Sequence, residues 1–577
     1  MSRPILALTR HAACLAAWLA RRGSQAQFIA GLLALGLGLW GWVRHEPPHA
    51  PSDYFNTLFR TLQLITLQFP HELQNAIPWQ LQVGRLLVPL VAALATLNIL
   101  VGSITRPLRL AMLHWESDHI IVCGAERLTE AALRTLAERR RQIIIVAPSF
   151  DATRRDALEG LGLTCAEADP ALPETFATLN LRRASALFLT HEDDLANLDL
   201  AMIAMPLLAT RPADMPPLVL GVLVDDEVLA GELDAALDGI SRQHNVRYHR
   251  LCPDREGLRR ELRRYAPALL KPVPAARTHI MVIGLAGRWQ QALAQLVLCA
   301  QDHPNERPLF SLLLDKAEAS LLSAWCAARP QLPLVAEFAV LTALPTEAPV
   351  GWLPPQLAVV LQPDAQGIST ALALRRRGHP LGTEALPVLV RQSREDRLLA
   401  PLGQVTLDGR SLREVVPFGG VLRPESIERV LDRCGDDIAM ALHAEYKKAA
   451  PGLGGGSAAS IEEWEMLPEN LRDANRASAD HMAVLFAAAS LRIGNTGQDI
   501  TLNESELDLL ARVEHRRWCA DRIERGWRYG ARDNALLLHP SLRDFDELPP
   551  DEQEKDRVAV RTLAAVLSKT GRALQRG

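Results

Sequence analysis

Two uncharged apolar runs constrain this chain more than any other feature: "FIAGLLALGLGLWGWV" (Phe28–Val43) and "LLVPLVAALATLNILVGSI" (Leu86–Ile104). Their lengths suit a hydrocarbon core of about 30 Å, the shorter one with a slight extension at its ends. No convincing small-residue cleavage site follows the first run, which sets it apart from a removed leader. The second has no place in a soluble domain. Both therefore read as membrane-spanning helices. Arg3, Arg10, Arg21 and Arg22 precede the first, and Arg106 and Arg109 closely follow the second. The intervening loop spreads only Arg44, Arg60 and Arg85 over a longer stretch. The positive-inside rule then places both termini in the cytoplasm, as in a multi-pass protein of a bacterial inner membrane. Trp40 and Trp42 suit an interfacial belt, and residues 1–26 read as a cytoplasmic amphipathic segment ahead of a membrane domain over 27–109.

The remainder faces a reducing compartment. Eight cysteines are scattered without a CxxC pair or a Cys/His cluster, so neither a disulfide framework nor a metal site is implied. Lys and Arg number 63 against 67 Asp and Glu, a balance that speaks against a nucleic-acid partner.

After Arg109 short β-branched runs alternate with helical stretches. "HIIVCGA", "QIIIVAP", "ASALFLTHEDD" and "PPLVLGVLVDD" are strands of a first parallel, doubly wound sheet over 116–250. The cycle restarts at "THIMVIGLAGRW" and continues through Pro308–Asp315, Leu357–Asp364 and Leu386–Ser393, giving a second copy over 276–445. "APGLGGGSAAS" marks a flexible linker, placed at 446–460. A helical, aromatic and charged segment over 461–570 closes the chain. The expected fold class is thus α/β with membrane helices, two Rossmann-like domains and a helical carboxy-terminal domain.

A dinucleotide loop needs glycines for its turn, for approach of the pyrophosphate and for helix packing. The first copy keeps Gly124 but has Glu126 and Thr129 at the next two glycine positions, so no nucleotide is expected there. The second carries Gly284, Gly287 and Arg288, and its next strand ends at Asp315, about where a ribose partner belongs. These four residues are its candidate cofactor contacts, against a purely structural role.

Two spans followed by paired Rossmann-like domains resemble RCK (regulator of K+ conductance) proteins. The stretch "THEDDLANLDLAM" (Thr190–Met202), with Asp193, Asp194 and Asn197, carries the resemblance, together with Asp169 in "EADPALPETF". It covers about 118–440, more loosely in the second copy. It implies that "SDYFNTLFRTLQLITLQFP" is a re-entrant pore helix. The filter position then reads Leu67-Gln68-Phe69-Pro70, with no Gly-Tyr-Gly to supply K+-coordinating carbonyls, and Thr66, Leu67, Gln68 and Phe69 are the candidate pore residues. An outer amphipathic helix in a non-conducting anchor is the alternative.

The carboxy-terminal segment resembles the RyR domain of ryanodine receptors. Its matching features are His515, Trp518, Arg522, "GWRYG" (Gly526–Gly530), His539-Pro540 and "EKDR" (Glu554–Arg557), with Trp464, Leu467-Pro468, Asn475-Arg476 and Asp480-His481 upstream. Aromatic faces hold bases, and Arg and Lys hold phosphates. The candidate ligand contacts are His515, Trp518, Arg522, Trp527, Tyr529, His539, Lys555 and Arg557. For the two His the alternative is helix packing or capping; Trp518 and Trp527 read as partly core.

The expected protein is a non-enzymatic, ligand-gated, channel-like homo-oligomer, a tetramer by analogy with K+ channels. Its partners are the lipid bilayer, ions and a small anionic ligand such as a nucleotide or nucleotide-derived messenger. A membrane-anchored sensor or scaffold that does not conduct, and an NAD-linked membrane enzyme, are the competing readings. The latter is opposed by the degraded glycine motifs and the lack of a catalytic acid–base set.

Overall fold

The structure is a computed structural model. It describes residues 29–68, 76–113, 117–139, 141–212, 214–226, 229–231, 234, 236–239, 244–269, 277–344, 353–377, 386–394, 406–407, 410–411, 415–449, 458–494 and 500–576. The amphipathic amino terminus, Phe69 and most of the glycine-rich linker lie outside the described residues. Residues 1–116 belong to one compact unit and residues 181–577 to another.

In the first unit, a helix over 29–45 (α1) is followed by Pro51–Gln63 (α2) and Trp79–Leu113 (α3). Among the described residues one helix is long and apolar enough to cross a membrane, over Trp79–Leu97. That helix starts seven residues before the apolar run at Leu86. Glycines let α1 and α3 cross at backbone distance. A Cβ on Gly84 would lie 2.8 Å from Gly38 Cα, and one on Gly41 would lie 2.5 Å from Leu81 N. Such small-residue crossings are how apolar helices gain packing where no hydrophobic effect drives them together. Leu64 and Thr61, at the end of α2, close over Gly38. Trp42, Leu64, Leu81 and Val88 fill the small core, while Leu33, Phe55, Phe59 and Leu86 face outward.

The α/β part of the chain is built on repetition. Strands β1 (Ile120–Cys123), β2 (Ile143–Ala147), β3 (Thr164–Glu167), β4 (Ala186–Leu189), β5 (Leu218–Leu223) and β6 (Val246–Leu251) lie in the order 3-2-1-4-5-6. Strands β7 (His279–Ile283), β8 (Leu309–Leu313), β9 (Glu337–Leu341), β10 (Leu357–Val360), β11 (Val388–Arg391) and β12 (Val415–Phe418) repeat that order, as 9-8-7-10-11-12. The central strands of both sheets pair in parallel. They read as near-continuous Ile/Val/Leu runs because helices cover both faces of a parallel sheet. The duplication inferred from strand spacing is therefore a duplication of topology.

The two copies meet through the loops at the carboxyl ends of their strands. Leu422 N–H donates to Arg127 O (2.7 Å), and Thr129 N–H donates to Leu422 O (3.0 Å). Asp254, at the start of the Pro253–Leu269 helix (α4), accepts from Gly420 N–H at 2.7 Å. A Cβ on Gly257 would sit 2.7 Å from Gly419 N, so the approach is a backbone one.

The carboxy-terminal module contains helices Glu469–Ala488 (α5), Glu504–Glu524 (α6) and Pro550–Lys569 (α7). Met482, Leu485, Phe486, Leu510, Val513, Val566 and Leu567 form its core. Strand Ala573–Arg576 pairs antiparallel with Leu491–Gly494 and ties down its end. One side of α6, through Cys519, Ala520 and Ile523, shares a buried cluster with the second Rossmann-like copy.

Candidate functional site

The glycine loops are closed from within. In the first copy, Gly124 adopts φ +74°, and a Cβ there would meet the His191 ring at 2.7 Å. Thr129 caps the following helix by accepting from Ala132 N–H (3.1 Å). In the second copy, a Cβ on Gly284 would meet Gln362 at 2.6 Å and one on Gly287 would meet the Arg391 guanidinium at 2.8 Å. Leu285 N–H donates to Glu318 Oε1 (2.8 Å), and Arg288 pairs with Asp194 (3.0 Å) and Asp226 (2.9 Å) of the first copy. Asp315 caps its own helix through Glu318 N–H (2.8 Å). The groups expected to greet a pyrophosphate and ribose have partners in the protein, and Gly284, Gly287, Arg288 and Asp315 form no open cradle.

The pore-like segment ends in a turn. Thr66 closes a short 3-10 helix, Leu67 takes a left-handed conformation (φ 60°, ψ 17°), and Gln68 N–H donates back to Gln63 O at 3.2 Å. This is a helix terminus built on a leucine, at a local cost of roughly 1–2 kcal/mol. Phe69 lies outside the described residues.

In the carboxy-terminal module the residues predicted from sequence divide into two sets. The first comes together around the end of α6. Gly526 (φ +82°) lets Gly526 N–H reach Ile523 O (3.1 Å) and Trp527 N–H reach Arg522 O (2.9 Å), a Schellman termination. It brings Trp527 back over the last turn, where Arg522 already lies one turn beyond Trp518. The Arg522 guanidinium thus stands 5.6 Å from the Trp518 ring and 5.4 Å from the Trp527 ring. His539 sits edge-on to both indoles, at 4.9 and 6.1 Å. Tyr529 pairs in register with His539, so Trp527, Tyr529 and His539 share one face of this short parallel ladder. Arg543, not anticipated from the sequence, lies 4.8 Å over Tyr529.

Arg522 is the chemically open member. No carboxylate or carbonyl accepts from its guanidinium among the described residues. Burial pushes its pKa down, with Asp521 opposing. His539 is held down to about 4, by burial and then by the Arg532 and Arg522 charges. Its Nδ1 accepts from Ser541 N–H (3.1 Å), leaving the neutral ring's proton on Nε2.

The second set is committed elsewhere. His515 is buried, with Nδ1 3.0 Å from Asp556 Oδ2 and Nε2 donating to Arg543 O at 2.9 Å. Burial opposes its charge, but the Asp556 hydrogen bond raises its pKa to about 11. Burial also pushes the Asp556 carboxyl up, the reverse of what a partner cation does. The two donating nitrogens decide the matter in favour of an ion pair. Lys555 pairs with Glu552, and Arg557 with Asp508 (2.6 Å) and Glu554 (3.5 Å). Helix pairing and tertiary partners thus remove His515, Lys555 and Arg557 from the open face.

A buried ionic seam joins the module to both Rossmann-like copies. Asp473 of α5 faces Arg255 (2.7 Å), Arg476 (3.1 Å) and Arg250 (3.5 Å), and Arg476 also reaches Asp436 (2.7 Å). His481 Nε2 meets Gln301 O at 2.6 Å. On the site's own helix, Arg516 donates to His303 O and Pro304 O (3.0 and 3.1 Å) of the second copy. Sequence reading matched Asn475-Arg476 and Asp480-His481 as features of the module without seeing that Arg476, Asp480 and His481 bind it to its neighbours.

Residues 120–212 match the TrkA-N domain family, and residues 499–576 match the RyR domain family. Both stretches that carried the resemblances, Thr190–Met202 and Gly526–Gly530, fall inside these matches, while Trp464–His481 lies ahead of the second. No curated protein matches the chain. A crystal structure of a GsuK mutant and one of GsuK bound to ADP each align at 14% identity and a TM-score of 0.32. They cover 71% and 73% of this chain and 95% and 98% of their own.

Proposed function

We propose that the RyR-like module is the sensor for a small anionic, nucleotide-type ligand, and that its occupancy gates a pore formed by the membrane helices of a homo-oligomer. One observation carries the reading: Arg522 is gripped between two indoles, beside a neutral imidazole, with no accepting partner among the described residues. A guanidinium fixed by cation–π contacts and left without an acceptor suits phosphate recognition, and the flanking rings suit a base. His515, Lys555 and Arg557 of the same module have their partners; Arg522 is held ready instead.

The route to the membrane is proposed on the same footing. Arg516 and the α5 ionic seam tie the module to both Rossmann-like copies, so a ligand favouring one arrangement of α6 would bias all three. The pore would lack a K+ filter and be correspondingly less selective. The closed glycine loops argue against a dinucleotide-dependent enzyme and for a sensing role. A second reading, an anchored sensor that does not conduct, is favoured by the helix-terminating turn at Leu67.

Mass spectrometry of small molecules retained by purified protein tests the sensor. The expected result is a phosphorylated compound present with wild-type protein and absent from Arg522→Ala and Trp527→Ala variants that melt normally. Loss of a charge-assisted contact costs about 1.5–3 kcal/mol, or roughly 10- to 150-fold in affinity. Identical inventories from wild type and variants would refute the site. Ion flux into vesicles on adding that compound separates the pore from the anchor.

A further inference from the structure

The rings around Arg522 differ in what their faces still offer. Trp518 has His515 stacked on it at 5.8 Å and the Arg522 guanidinium at 5.6 Å. Trp527 carries Arg522 at 5.4 Å, and both indoles pack against the buried cluster of the second Rossmann-like copy. Tyr529 is different. It pairs in register with His539 on the short parallel ladder, yet 49% of its surface is exposed. Arg543 stands 4.8 Å over its ring and also donates to its Oη. Arg543 is fixed in turn, because its Nε donates to Pro540 O at 3.0 Å. No second ring or guanidinium lies on Tyr529 among the described residues, so the face opposite Arg543 is open.

An aromatic ring backed by a guanidinium and open in front is a stacking platform, and every nucleobase has a π-face to lay on it. Side chains two residues apart on one face of a strand stand roughly 7 Å apart. Tyr529 lies two residues beyond Trp527, the ring on which Arg522 rests. Platform and cation are thus separated by about the length of a nucleoside. Building on the sensor reading, we infer that the ligand's nucleobase stacks on the open face of Tyr529 while its phosphate is received by Arg522. The indoles then serve to hold Arg522, and the phenol reads the base. Arg543 is a positioning residue that keeps the phenol ring in place from behind.

Three probes that share one phosphate and differ in the base test this on the full-length protein. They are adenosine 5′-monophosphate, cytidine 5′-monophosphate and ribose 5-phosphate. In titration calorimetry the better-bound nucleotide should exceed ribose 5-phosphate by about 5- to 150-fold, the effect of one stacked base. Tyr529→Leu, a change at a half-exposed ring, should remove that advantage without weakening ribose 5-phosphate, and Tyr529→Phe should keep most of it. Arg543→Gln should weaken the nucleotides alone, which a merely structural role would not do. Arg522→Gln should weaken all three. If Arg522 is required but the base adds nothing, or its advantage survives Tyr529→Leu, the platform is overturned and the sensor site stands. If no probe shows binding that depends on Arg522, the sensor reading itself fails and the inference with it.

Discussion

His515 and Arg522 lie two turns apart on one helix and illustrate how burial with or without a partner sets a side chain's task. His515 is a charged ring locked between Asp556 and a carbonyl, and its contribution is to stability. Its folded pKa of about 11 lies above the ordinary 6.5. The stabilisation is thus fully present below about pH 6.5 and is lost as pH rises through about 11. Asp556→Asn should lower the thermal midpoint at neutral pH and flatten its decline across that alkaline window, read by melting curves at stepped pH. Arg522 has no such partner, so its truncation should leave the midpoint nearly unchanged while removing ligand. Melting curves beside retained-ligand measurements distinguish the two kinds of residue. The Trp518–Arg522 pair was legible as an i, i+4 spacing and Gly526 as a helix stop. The loss of Arg557 to Asp508 was not, because that partner lies 49 positions away in the chain.

At the level of elements, α5 does more than a surface helix can. It places Asp473 among half-buried arginines of α4 and β6 and Arg476 against Asp436, with Asp473, Arg476 and Asp436 themselves buried. Breaking a buried pair costs about 3–5 kcal/mol, since the stranded charge keeps its desolvation penalty. Asp473→Asn should therefore lower the denaturation midpoint sharply, and limited proteolysis should begin to release the carboxy-terminal module. A variant that unfolds as wild type does would mean the seam is solvated. In the first unit, Gly84→Val places a side chain where Gly38 Cα stands 2.8 Å away. Overpacking of this kind costs about 1–3 kcal/mol. The expected outcome is a lower melting temperature in detergent, without effect on the isolated fold of the Rossmann-like copies as seen by circular dichroism.

For the whole molecule, a single subunit with so few long apolar helices cannot enclose a pore, so the proposed conduction requires a symmetric ring. Native mass spectrometry in mild detergent should show an oligomer, four subunits by analogy, and a strictly monomeric species would end the channel reading. Topology gives a second expectation. Reporters fused after Gly577 should be active in the cytoplasm, because arginines cluster before the first apolar run and after the second. Activity only outside would reverse the orientation.

The sequence alone was sufficient for the four central strands of each Rossmann-like copy, because parallel strands buried on two faces must be apolar along their whole length. The edge strands Thr164–Glu167, Val246–Leu251, Glu337–Leu341 and Val415–Phe418 lack that continuous pattern and were not read from it. It was sufficient too for the α6 terminus, where glycine and indole spacing act within a few residues. Local pattern also identified the apolar run that becomes the Trp79–Leu97 stretch. Only the tertiary structure decided that the glycine loops are sealed, since Arg391, Gln362 and the Leu422 loop reach them from distant parts of the chain. It likewise decided which cations remain open: whether an arginine is free depends on where every carboxylate ends up, a property of the folded whole.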